Sequence, residues 1–194
     1  MILHLFLWFK LSIFSCFTSP AFGVGNTMFE KIQSFKTKIK FEAVMKEETT
    51  AHLSVFEPPN LIDAPGVGTD WPINVGSKKI VDGDIKVHWT LRNGDQHILF
   101  ELYVSKNGVN NARDFFIEKT CENSRMDCPF DIAPIQISNL AVSNLTKDNK
   151  QIVWIFHNTT VSLRTIESAV DIMKLANWVQ SHIQDALAKQ AKNR

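Results

Sequence analysis

The stretch from Gln151 to His157 constrains the fold more than any other part of the chain. In an extended backbone Ile152, Trp154 and Phe156 fall on one face and Val153 and Ile155 on the other. A strand that is apolar on both faces needs burial on both, so it belongs inside a sheet with cover above and below. The rest of the chain has to supply those covers. Asn158-Thr159 then turns it into a further strand over residues 160–164.

A second strong signal is a hairpin. From Asp84 to Arg92, Ile85, Val87, Trp89 and Leu91 alternate with polar residues, Asn93-Gly94 supplies the residues of a type I′ turn, and Gln96 to Ser105 runs back. A two-residue turn at 93–94 sets Ile85 opposite Leu102, Val87 opposite Phe100, Trp89 opposite Ile98 and Lys86 opposite Glu101. The same register makes His88 and His97 diagonal neighbours on the polar face, with Asp84 and Glu101 nearby.

Thr27 to Glu30 reads as a capping box opening a short helix over 27–34. From Phe35 to Met45 apolar and polar residues alternate, with Lys36, Lys38 and Lys40 on the wet side, which predicts a strand. A second strand is expected over 51–55, and weaker ones over 115–119 and 135–142. Near the C-terminus Ile172, Leu175, Ala176, Val179, Ile183, Ala186 and Leu187 form one stripe of a long helix, with Ser168 as its expected N-cap. Together these elements predict an α+β domain: a single antiparallel β-sheet, a short N-terminal helix, and a long C-terminal helix packed on the sheet.

Residues 1–23 read as a secretory signal peptide. The apolar run Met1 to Phe17 is followed by Pro20 and small residues that suit cleavage after Ala21 or Gly23, although a positive segment ahead of the run is missing and Lys10 sits within it. The run is short for a membrane span of ~20 residues. Ile13-Phe14-Ser15-Cys16 gives a second reading, a lipoprotein anchored at Cys16, with Phe a poor fit at its position. Residues 24–194 then form one domain in the periplasm or extracellular space.

Losing the leader removes Lys10 and leaves twenty basic against twenty acidic residues, with no basic cluster. Nucleic acid and anionic membrane surfaces are therefore not expected partners. The mature domain keeps Cys121 and Cys128, which in an oxidising compartment are expected to form a disulfide around an eight-residue ring. No cofactor motif is present. Gly-x-Ser-x-Gly, Ser-x-x-Lys and His-Glu-x-x-His are all absent.

Three functional readings follow. The first is a non-enzymatic interaction domain that binds a protein partner through long connections over 57–79, 105–114 and 121–134, with Trp71, Arg113, Arg125 and Met126 on the contact face. For Trp71 the competing reading is that its loop folds down to cap the sheet. The second is a carrier of a small apolar ligand between the C-terminal helix and the sheet, drawing on a chain with fourteen Phe. The third is a metal-dependent hydrolase using His88 and His97. Asn144-Leu-Thr146 and Asn158-Thr-Thr160 are glycosylation triplets.

N-terminal sequencing of the mature protein is expected to begin at Phe22 or Val24. An intact Met1 would contradict the leader.

Overall fold

A computed structural model describes residues 27–47, 53–54, 56–106, 108–122, 128–133, 137–138 and 140–192. The expected leader, Cys16, Arg125 and Met126 lie outside the described residues. In chain order the elements are α1 (Met28–Lys38), α2 (Phe41–Glu47), β1 (Ile73–Val81), β2 (Asp84–Asn93), β3 (Gln96–Val104), α3 (Val109–Ile117), β4 (Asp131–Ile132), β5 (Leu140–Leu145), β6 (Asn149–Phe156), β7 (Thr159–Ile166) and α4 (Ile172–Lys192). The strands form one antiparallel sheet in the order β1-β2-β3-β7-β6-β5-β4. The α+β class, the short N-terminal helical region and the long C-terminal helix are as the sequence indicates.

The two-faced strand does what its pattern demands. Ile152 and Trp154 of β6 enter one core, together with Phe100, Leu102, Val161 and Leu163 and with Leu175, Val179 and Ile183 of α4. Val153 and Ile155 enter a second core on the opposite face, closed by Phe35 of α1 and its C-cap Ile39, Phe41 and Met45 of α2, and Ala112 and Phe116 of α3. All four of these β6 side chains are fully buried. Burying an aliphatic side chain of this size contributes roughly 1.5–3 kcal/mol, so covers on both faces are strongly favoured. Trp154 also donates its Nε1–H to Oε1 of Gln180 at 2.8 Å, which satisfies the indole N–H inside the first core.

Several local expectations change. Residues 35–45 form parts of two helices instead of a strand, because Phe35, Ile39, Phe41 and Met45 satisfy a helical repeat on either side of a break at Lys40, where φ is 54°. Thr37 and Ala43, which only the two-residue repeat would bury, are exposed. The capping box itself forms, with Glu30 N–H donating to Thr27 Oγ1 and Thr27 N–H to Glu30 Oε2. Leu53 and Ser54 belong to no strand, and residues 51, 52 and 55 lie outside the described residues. Residues 115–119 fall in α3 and a following π-turn, Glu118–Glu122.

The connection expected over 57–79 is shorter, since β1 occupies Ile73–Val81. Asp82-Gly83, both at positive φ, make the tight turn into β2. The connection after β3 is likewise short, because α3 begins at Val109. Helix α4 starts at Ile172 and is capped by Asp171, whose Oδ1 accepts from Met173 N–H and Lys174 N–H; Ser168 instead holds Val170 N–H. Cys121 and Cys128 are bonded, with Cα atoms 4.5 Å apart. Among the described residues no helix is long and apolar enough to cross a membrane.

The turn between β6 and β7 is pinned by Asn158, which is fully buried. Its Oδ1 accepts from Leu53 N–H, its Nδ2 donates to the carbonyls of Leu53 and Ser105, and its own carbonyl accepts from Ser105 N–H. One amide thus satisfies three buried backbone groups from two distant segments. Replacing it leaves them without a partner, at a cost of about 3 kcal/mol. Asn158→Ala is expected to lower unfolding free energy by that amount in urea titration, and mass spectrometry of the protein is expected to find no glycan on Asn158; a loss below about 1 kcal/mol would contradict the pin.

Candidate functional site

The two sheet faces are covered unequally. Seven strands span about 29 Å across at ~4.8 Å per neighbour, and a helix covers only ~10 Å of that width. On the first face α4 is helped by the connection over 56–72, which places Leu61 and Trp71 in the core. On the second face α1, α2 and α3 gather over β5, β6 and the adjoining ends of β7 and β3. The second face of β1, β2 and the remainder of β3 stays open.

The open region is polar because the hairpin's alternation turns its apolar residues toward α4. Pairing across β1 and β2 sets Ser77 opposite His88 and Lys79 opposite Lys86. Pairing across β2 and β3 sets Lys86 opposite Tyr103, His88 opposite Glu101 and Arg92 opposite His97. This register differs from the expected one by a two-residue slide. The turn residues are Gly94-Asp95, and of the two only Gly94 takes positive φ (59°), the pattern of a type II′ turn instead of the I′ turn expected at Asn93-Gly94. A slide of two keeps every side chain on its face, so the inward set is unchanged.

The slide does change which polar residues meet. His88 and His97 are now offset by four residues along their strands, about 13 Å, so they cannot share one ion. Among the described residues no group of three or more His, Cys, Asp or Glu is placed to hold a metal. His88 Nδ1 instead lies 3.6 Å from Glu101 Oε1, to which Lys119 Nζ donates at 2.8 Å, and His88 Nε2 is 3.4 Å from Thr90 Oγ1. Both contacts of the imidazole are longer than a strong hydrogen bond, and the carboxylate is engaged by Lys119. The string Thr90, His88, Glu101, Lys119 is a polar network and gives no ground for assigning a nucleophile and base.

Helix α3 borders the open region and makes it concave. A recess of about 290 Å³ is lined by Lys86, Tyr103, Asn111, Asp114, Phe115 and Glu118. A second, of about 180 Å³, is lined by Ser77, Lys79, Lys86, His88, Glu101 and Phe115, among others. Lys86 and Phe115 belong to both, so the two recesses form one groove between α3 and β1 to β3. The strands contribute Lys79, Lys86, His88 and Glu101 to it, and α3 and the π-turn after it contribute Asp114 and Glu118. Lys86 lies over the Tyr103 ring at 5.3 Å and Lys119 over the Phe115 ring at 5.0 Å.

At the groove's end Tyr103 donates its hydroxyl to Asp84 Oδ2 at 2.5 Å, and Lys106 N–H donates to Asp84 Oδ1 at 2.8 Å. Burial alone would push the Asp84 carboxyl up. The Tyr103 and Lys106 hydrogen bonds and the Lys86 charge outweigh it and hold the group below the ordinary carboxylate range. Burial, followed by the bond to Asp84, pushes the Tyr103 phenol up.

Of the four residues proposed from sequence for a loop contact face, the two described ones, Trp71 and Arg113, lie on opposite faces of the sheet. Trp71 is 5% exposed in the core on the α4 side, with its loop folded down onto the sheet. Arg113 is on α3, across the sheet from Trp71, and donates through Nη2 to the Met45 carbonyl, tying α3 to α2. Arg125 and Met126 lie outside the described residues. Tyr103 sits on the strand expected from sequence, but Asn111 and Phe115 escape sequence reasoning because helix α3 and its π-turn replace the connection expected over 105–114 and the strand expected over 115–119. The Lys79 and Lys86 pair was recoverable from Asp82-Gly83, a type I′ dipeptide between alternating segments. No protein-family model, curated protein or solved structure matches the chain.

Because the folded state lowers the Asp84 pKa, its contribution to stability is fully present above the unfolded value near ~3.9 and is lost as pH falls through the lower folded value. Tyr103→Phe removes part of that depression. Thermal melts between pH 2 and 5 should show a shallower acid loss in Tyr103→Phe than in wild type; identical slopes would show that the hydroxyl does not set the Asp84 environment.

Proposed function

We propose that the domain is an exported, non-enzymatic binding module for a protein partner, and that the partner lies in the groove between α3 and the β1 to β3 end of the sheet. The observation that carries this reading is the groove itself. It offers an aromatic floor in Phe115 and Tyr103, hydrogen-bonding groups in Asn111 and Ser77, and charges of both signs. An aromatic base with a polar rim is the composition that anchors a protein segment while fixing its orientation. The disulfide Cys121–Cys128 supports export, since such bonds persist in oxidising compartments. Near-neutral charge in the mature domain supports a protein partner over nucleic acid.

The interaction-domain reading from sequence is kept, and its surface is moved from loop tips to a sheet face. A photo-crosslinking side chain placed at Asn111 or Lys86 in cells is expected to capture another protein, and one placed at Asp185, exposed on α4, is not. Equal capture from all three positions, or none from the groove, would overturn the assignment.

A further inference from the structure

We infer that the partner seated in the groove also carries an extended acidic segment that adds to β1 as an eighth strand beside the groove; this rests on the groove reading above and names its partner chemistry. Strand β1 is a terminal strand of the sheet and runs for nine residues. Every other residue of an edge strand presents its N–H and C=O outward. Among the described residues no backbone group pairs with the outer side of β1. Gly76, Lys78, Lys79, Ile80 and Val81 are all exposed, Ile80 at 67% and Val81 at 52%. From Gly76 to Val81 the edge is therefore open to a further strand, next to the recess that Ser77 and Lys79 line.

Charge selects the occupant. Lys79 faces Lys86 directly across β1 and β2, a like-charge pair that is unfavourable as it stands. Lys86 has Tyr103 and Asp84 for company, whereas Lys79 has no carboxylate at ion-pair distance among the described residues. Lys78, on the other face, is paired with Glu57 at 2.6 Å. A strand laid along β1 with a carboxylate beside Lys79 relieves that repulsion and places a second acidic or apolar side chain over the groove. Of the nearby carboxylates, Glu101 sits on β3, Asp84 at the start of β2, Asp114 on α3 and Glu118 in the π-turn after it, none of them on β1.

The same lysines disfavour a second copy of this chain. Antiparallel pairing of two β1 strands would bring Lys78 and Lys79 of each copy together, and edge lysines are a common guard against such self-pairing. An acidic segment meets the opposite sign, so one feature both repels the wrong strand and attracts the right one. Main-chain bonds to β1 would supply affinity, and the lysines would supply selectivity.

The test uses a blocked decapeptide of alternating Glu and Val, with its Lys and Val counterpart as control, and hydrogen exchange followed by mass spectrometry on the whole protein. The acidic peptide is expected to bind, to slow exchange specifically over residues 73–81, and to bind at least tenfold more weakly to Lys79→Glu. That variant should in turn take up the Lys peptide. No binding at millimolar peptide, binding without protection of 73–81, or equal binding by Lys79→Glu would each overturn the proposal. Protection of 73–81 that rises with protein concentration alone would overturn it in favour of self-pairing. Capture from Asn111 together with failure of the peptide would sink strand addition and leave the groove reading standing; failure of both would sink both.

Discussion

The two-sided burial of β6 is the constraint on which the rest of the structure depends. A strand carrying Ile152 and Trp154 on one face and Val153 and Ile155 on the other cannot sit at an edge or against solvent. Each face needs its own cover, and the chain provides α4 for one and three short helices for the other. The cover on the second face is also what limits it. Eleven, seven and nine residues of helix gather over one end of a seven-stranded sheet and leave the other end open, which is where the groove lies.

The sequence was legible where a pattern admits one period only. The strand faces of the β2–β3 hairpin, the two-faced β6 and the α4 stripe read correctly because their apolar spacing fits strand or helix and not both. Residues 35–45 misled because Phe35, Ile39, Phe41 and Met45 satisfy both repeats, and a left-handed residue at Lys40 resets the helical phase between them. Residues 109–117 misled for another reason. Helix α3 follows Gly108, whose side chain can offer no capping oxygen, so the usual start signal is missing.

The candidate site was less legible than the fold, and the hairpin shows why. Face assignments survive a two-residue slide, so the apolar interior was robust to the choice of turn. Polar neighbours do not survive it. With Gly94-Asp95 as the turn, His88 meets Glu101, His97 meets Arg92, and the pair that suggested a metal is separated. Trp71 illustrates a different limit: an aromatic in a proline-rich connection suits a contact surface and a core cap equally, and only the packing under α4 decides between them.

In the proposed reading, stability and recognition overlap at Tyr103, which belongs to the second core and also lines the groove. The two cores and the Asn158 pin tie the sheet to its covers. Lys79 of β1 and Lys86 of β2 are exposed and lie outside both cores, so the charge they present is not part of the packing. Amide chemical-shift mapping with the partner recovered by crosslinking addresses the central claim most directly. The account predicts shifts confined to β1, β2, β3 and α3, with α4 silent; shifts centred on α4 or on the connection over 56–72 would contradict it.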